Sequence, residues 1–184
     1  CANPEGMKKR PQLLFSRQKC RYEKSHCRRC LSVCPHGGVR QTGDPDNPLE
    51  FDHAICGKCT TFECAKACAH EAARISGQYR TTGEVMRILR RDREYWDSQG
   101  GPGFSGGEPM AQPAFLKSIL TACKEEGMNT SIETTAYVEP DIFFPIMEKI
   151  DFAFIDVKHM DSDRHAKMTG VGNERILSNI EALS

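Results

Sequence analysis

The sequence predicts an α/β protein: part of a parallel βα barrel, preceded by a cysteine-rich metal-binding module. Three observations lead there. Eight of the ten cysteines lie between residues 20 and 68. From about residue 79, strand-like and helix-like stretches alternate, the pattern of a parallel sheet with crossover helices. Short polar clusters follow the later strands, at the end where βα barrels carry their active sites.

The chain divides into residues 1–17, a polar stretch with Pro4 and Pro11 that reads as loop; residues 18–77, the cysteine module; and residues 78–184, the barrel part. In the last, Thr81-Thr82-x-Glu84 has the form of a capped helix start, followed by Val85, Met86, Ile88 and Leu89 at helical spacing. A glycine-rich turn (100–107) leads to a second helix over about 113–126, ending at Gly127. Then come a strand near 130–134, a third helix near 140–149, a strand over 152–157 and a fourth helix opening near Asn173.

Composition excludes several classes. Lysine plus arginine equals aspartate plus glutamate, 25 each, so there is no overall basic field for nucleic acid. No apolar run approaches the length of a membrane span and no signal-peptide pattern is present. Thiols confined to one module argue for metal ligation in a reducing, cytoplasmic setting rather than for a secreted disulfide scaffold. The chain opens on Cys1 without a methionine and stops inside what reads as a helix, so it is expected to be a piece of something longer.

The cysteine spacings are Cys20-x6-Cys27-x2-Cys30-x3-Cys34-Pro35 and Cys56-x2-Cys59-x4-Cys64-x3-Cys68. Each approximates the C-x2-C-x2-C-x3-C-P run of bacterial ferredoxins, in which the fourth cysteine of one run ligates the other cluster. Crossing the fourth ligands assigns Cys20, Cys27, Cys30 and Cys68 to one 4Fe-4S cluster, and Cys56, Cys59, Cys64 and Cys34 to the other. Two structural zinc sites are the competing reading. Zinc, however, requires neither the C-x3-C step after each pair nor the proline after Cys34.

In Gly106-Gly107-Glu108-Pro109 the two glycines allow close approach to a ligand, and the carboxylate can accept from an ammonium group. A tight turn with a solvated glutamate would look the same. Glu133-Thr134-Thr135 and Asp156-x-Lys158-His159 follow strands; the latter pair is expected to point into a cavity rather than form an ordinary rim ion pair.

These residues together resemble the radical S-adenosylmethionine barrel. Cys1-Ala2-Asn3-Pro4-Glu5 resembles the end of that family's C-x3-C-x2-C cluster loop, with Cys1 as its third cysteine. An inserted dicluster module directly after that loop is similar to the activating enzymes of glycyl-radical enzymes other than the pyruvate formate-lyase type. The stretch 151–183 resembles the same activases along its length. Within them, Phe62-Glu63-Cys64, the long loop after Cys20 and Glu133-Thr134 look most like those serving 4-hydroxyphenylacetate decarboxylase.

The fold so implied is a partial (β/α) radical-SAM barrel with an inserted two-cluster, bacterial-ferredoxin-like domain. The resemblance implies three 4Fe-4S clusters in the whole protein, the third held by Cys1 and two absent cysteines. It implies S-adenosylmethionine as cofactor, reductive cleavage to a 5′-deoxyadenosyl radical, and hydrogen abstraction from a glycine of a partner glycyl-radical enzyme. Gly106, Gly107 and Glu108 would hold the methionyl amine, with Glu133, Thr134, Asp156, Val157 and Lys158 completing the cofactor site. Glu133, Thr134 and Asp156 would also line a monovalent-cation site. A flavodoxin or ferredoxin would supply electrons through the insert clusters. The piece by itself is expected to be inactive. A dicluster ferredoxin-type electron-transfer protein and another radical-SAM maturase with auxiliary clusters remain as alternatives. The partner stays open among aryl decarboxylases, choline or isethionate lyases and diol dehydratases.

Overall fold

Leu13, Leu14 and Phe15 make a short apolar stretch, and this is enough to form a strand when a partner is at hand. In the computed structural model, which describes residues 9–96 and 100–183, β1 (Gln12–Phe15) pairs antiparallel with β4 (Ala73–Ser76), in the register Gln12↔Ser76 to Phe15↔Ala73. This corrects the expectation that residues 1–17 are loop, for the described part of that stretch. Composition suggested a polar segment, but the strand is made by a partner about sixty residues away, which local pattern does not reveal. As a result Arg10–Tyr79 forms one compact unit, and the chain from Arg80 onward belongs to another.

In the smaller unit a second antiparallel pair, β2 (Val39–Gln41) and β3 (Leu49–Phe51), joins β1 and β4 around a small core of Val39, Leu49, Phe51, Cys64 and Ala73. Phe15 and Phe51 meet at a ring-centroid distance of 4.4 Å. Four one-turn helices carry or flank the cysteines: α1 (Tyr22–Ser25), α2 (Arg29–Val33), α3 (His53–Cys56) and α4 (Glu63–Lys66). Helices this short are not stable by propensity. Asp52 caps α3 by accepting from the amides of Ala54 and Ile55, while Tyr22 of α1, Cys30 and Leu31 of α2 and Cys64 of α4 pack in or against the unit's core.

The larger unit opens with α5 (Thr82–Asp92), which has a full capping box. The Thr81 hydroxyl accepts from the Glu84 amide, and the Glu84 carboxylate accepts from the Thr81 amide. Then β5 (Gly103–Phe104), α6 (Pro113–Glu125), β6 (Ser131–Thr134), α7 (Pro140–Met147) and β7 (Phe152–Ile155) alternate. The three strands are parallel, in the order β5-β6-β7, with Phe104 beside Ile132 and Ile132 beside Ala153. Pro102 lies just before β5, where its missing N–H disrupts no ladder bond.

On the helix-covered face, Ile132 joins Leu116, Leu120, Phe143 and Ile146 in the main core. The opposite face of β7 leaves Phe152 and Phe154 more than half exposed, packed edge-to-face at 4.8 Å. Two helices close the described chain. α9 (Glu174–Glu181) is the helix expected near Asn173, and α8 (Ser162–Thr169), capped by Asp161, had no sequence expectation. Its composition is almost wholly polar, so it lacks the apolar stripe by which the other helices are recognised.

Candidate functional site

The smaller unit has two clefts, and each gathers four thiols. One is lined by Cys34, Cys56, Cys59 and Cys64 with Leu13, Ile55 and Phe62. The other is lined by Cys20, Cys27, Cys30 and Cys68 with Phe15, Leu49 and Phe51. All eight cysteines are free thiols. The one-turn helices and their tight connections turn successive side chains inward, and the close approach of Cys34 and Cys68 to the opposite run crosses the two halves.

The electrostatics of the thiols follow from that crowding. Burial first, and then the neighbouring Cys20, push Cys30 up to about 11, with Cys27 and Cys68 adding to it. Burial and Cys34 push Cys64 up to about 11, with Cys56 and Cys59 contributing. Cys59 differs: burial works to raise it, but the hydrogen bonds it receives from the Phe62 amide (3.4 Å) and from Thr61 outweigh that and bring it below its ordinary value. The Phe62 backbone is in the left-handed region at φ +51°, unusual for a bulky residue, and its ring is buried. The amide of Ala73 likewise donates to Cys68 Sγ at 3.4 Å. At Gly38 a Cβ would lie 3.2 Å from Cys56 Sγ and 3.0 Å from Ile55, so only glycine lets the backbone pass so close to the cleft.

Four sulfurs disfavour one another's ionisation until a positively charged group neutralises them, and amide N–H···S bonds are the usual support of thiolate ligands. The donor set in each cleft therefore fits a thiolate-ligated metal group. Among the described residues, no three His, Cys, Asp or Glu side chains stand close enough to hold one metal ion between them. The thiols are spread around each cleft rather than drawn to a point.

In the larger unit the polar groups collect at the C-terminal ends of the three strands. Glu108, at the end of the glycine turn, accepts four hydrogen bonds: from the Met110 amide (3.0 Å), the Thr134 hydroxyl (2.7 Å), and the amide (2.9 Å) and hydroxyl (2.8 Å) of Thr135. The turn's glutamate is thus bound to the end of β6 rather than solvated. Gly106 has φ +134°, a conformation that L side chains rarely adopt. The Asp156 amide donates to the Thr134 carbonyl at 3.0 Å, which brings the end of β7 beside the end of β6.

Lys158 donates to the Asp156 carboxylate, with Lys158 half exposed and Asp156 somewhat less so. A lysine two residues beyond an aspartate, past the strand's end, reaches back to it. Val157 packs against the main core. Thr134 is buried beside Glu108, whereas Glu133 is exposed on the face that carries Phe152 and Phe154. Cys1 lies outside the described residues. Sequence reasoning missed the role of Thr135, although its place directly after a strand and a second threonine was a signal. It also missed Arg21 and Arg29, which stand on the wall of the second cleft.

The model of the radical SAM superfamily matches residues 26–184. The chain belongs to the radical SAM superfamily. The chain is 41% identical over 184 residues to the 4-hydroxyphenylacetate decarboxylase activating enzyme of Clostridioides difficile strain CD196, covering 100% of this chain and 57% of that protein. It is 37% identical over 188 residues to the indoleacetate decarboxylase activating enzyme of Tractidigestivibacter scatoligenes, covering 100% of this chain and 58% of that one. A solved domain of a pyruvate-formate lyase-activating enzyme from Bacteroides vulgatus superposes with a TM-score of 0.42 at 37% identity, covering 46% of this chain and 52% of the domain. The chain thus spans little more than half the length of the curated relatives it matches. Among the described residues of this radical SAM chain, no helix is long and apolar enough to cross a membrane.

Proposed function

We propose that the chain is part of an activating enzyme that uses S-adenosylmethionine to place a radical on a glycine of a partner enzyme. The observation that carries this reading is the division of eight cysteines into two four-thiol clefts within a radical SAM chain. We read the unit Arg10–Tyr79 as a ferredoxin-like insert holding two 4Fe-4S clusters, and Cys1 as a ligand of a third. The partner is a glycyl-radical enzyme, and arylacetate decarboxylases are the first class to test, given the names of the relatives at 41% and 37% identity.

When bound, the third cluster and S-adenosylmethionine supply one-electron cleavage of the sulfonium and removal of a hydrogen atom from the partner's glycine. The chain's own residues bind and orient. The turn at Gly106 and Gly107 would let backbone approach the methionyl amine. Glu108, fixed by Thr134 and Thr135, supplies negative charge at that end without swinging away. Lys158 is the cation available to the cofactor's carboxylate, and on turning to it would release Asp156 for a hydroxyl or a monovalent cation. Glu133 adds a second carboxylate near that end of the sheet.

The test is anaerobic reconstitution of the full-length protein followed by incubation with S-adenosylmethionine, dithionite and a recombinant arylacetate decarboxylase. The expected result is about twelve irons per protein, release of 5′-deoxyadenosine, and a glycyl-radical signal in electron paramagnetic resonance. Zinc in place of iron would overturn the cluster assignment. Deoxyadenosine without any glycyl radical would overturn the partner class.

A further inference from the structure

We propose that the cleft of Cys20, Cys27, Cys30 and Cys68 is where electrons enter, and that the basic face around its mouth docks an acidic, low-potential, one-electron carrier protein bearing a flavin or an iron–sulfur cluster. This rests on the reading of the two clefts as cluster sites.

The charge is unevenly distributed. In a chain with equal numbers of acidic and basic residues, residues 17–30 hold six basic side chains and one acidic. Arg17 is paired with Glu23, and Lys19 lies 3.8 Å from Glu71. Arg21, Lys24, Arg28 and Arg29 are exposed and make no ion pair among the described residues. Arg21 and Arg29 themselves line the cleft beside its thiols.

The other cleft is bordered differently. No lysine or arginine stands among its lining residues, and its one charged wall residue, Glu63, is matched by Lys66 at 2.8 Å. An acidic partner is therefore drawn to the first cleft more strongly than to the second.

Two physical effects then coincide. A patch of unmatched positive charge steers an acidic protein and raises its association rate, most strongly at low salt. The same charge stabilises the extra negative charge of a reduced cluster, so a group in this cleft accepts an electron more readily than one in the other. The step balances simply: the carrier is oxidised by one electron, the cluster is reduced by one, and no atom or proton moves.

The test uses the reconstituted protein and a purified acidic flavodoxin in the oxidised state, with affinity measured by calorimetry at low and high ionic strength. The triple variant Arg21→Gln/Lys24→Gln/Arg28→Gln is compared with Lys58→Gln/Lys66→Gln. The triple variant is expected to weaken binding about tenfold or more at low salt, from three lost surface attractions. The difference should shrink at high salt, and the control pair should change affinity less than about twofold.

Equal losses in both variants, or no loss in either, would overturn the docking face. So would a triple variant that binds flavodoxin normally but loses affinity for the glycyl-radical enzyme or for duplex DNA. Should the triple variant fail to fold, the wild-type protein still decides: its rate of reduction by flavodoxin must fall steeply with salt, and a flat dependence refutes the proposal. Iron analysis of the same samples separates the two readings. Unchanged carrier affinity at full iron content overturns the docking face alone, whereas iron-free protein overturns the cluster reading beneath it.

Discussion

Glu108 is the residue whose surroundings say most about the strand-end site. An ionised carboxylate offers about four lone-pair positions, and four donors from Met110, Thr134 and Thr135 engage it. Hydrogen bonds to a charged acceptor contribute roughly 1.5–3 kcal/mol each, so these bonds fix the turn to the sheet. Removing the Thr135 hydroxyl with little change of shape should let the turn loosen. Thr135→Val is therefore expected to weaken S-adenosylmethionine binding about tenfold, with Thr135→Ser restoring it and iron content unchanged in both. Binding titrations of the two variants check this; equal affinity in Thr135→Val and wild type would show that the turn needs no such support. The motif itself was legible, because two glycines beside a carboxylate mark a ligand-approaching turn. What held the carboxylate was not legible, since the partners sit 26 and 27 positions away on another strand.

At the scale of elements, the sequence was read best where a local rule is self-contained. Thr81 and Glu84 form the capping box that their spacing implied, and α6 begins at Pro113 and ends before Gly127 as the helix signals predicted. Replacing the Thr81 cap with alanine should cost about 1 kcal/mol, seen as a melting-temperature drop of roughly 4–8 °C for the unit that begins at Arg80. Glu84, held below its usual range chiefly by the Thr81 amide, sets a pH signature. Its contribution is present above the ordinary glutamate pKa and is lost as pH falls through the lowered folded value. Alanine keeps the amide donor but loses the hydroxyl's bond to the Glu84 carboxylate (3.0 Å), so that part of the gap between wild type and Thr81→Ala should narrow in acid, and thermal melts across that range would measure it. Elements defined by distant partners were the ones missed. β1 exists because β4 lies beside it, and α8 has no apolar stripe to announce it.

At the scale of the molecule, the two units differ in what holds them together. The unit from Arg80 onward has a substantial core around Leu120, Ile132, Phe143 and Ile146. Arg10–Tyr79 has a core cluster of only five buried apolar residues, one of them Cys64, and its helices are single turns. So little burial stabilises a unit weakly, and on the proposed cluster reading bound metal is expected to supply the rest. Stripping iron with a chelator under air should expose Arg10–Tyr79 to rapid limited proteolysis while the unit from Arg80 onward stays resistant, as mass spectrometry of the products would show; protection of both after iron loss would mean that burial alone suffices. The antiparallel pairing of β1 with β4 has one more consequence. Gln12 faces Ser76 across the ladder, so the chain enters and leaves this unit at neighbouring points, about 5 Å apart. A single excision between them, closed by a tight turn, would leave the flanking polypeptide nearly where it was. Genes with and without such a module can therefore be interconverted in one recombination event, with no intermediate that must rebuild the barrel.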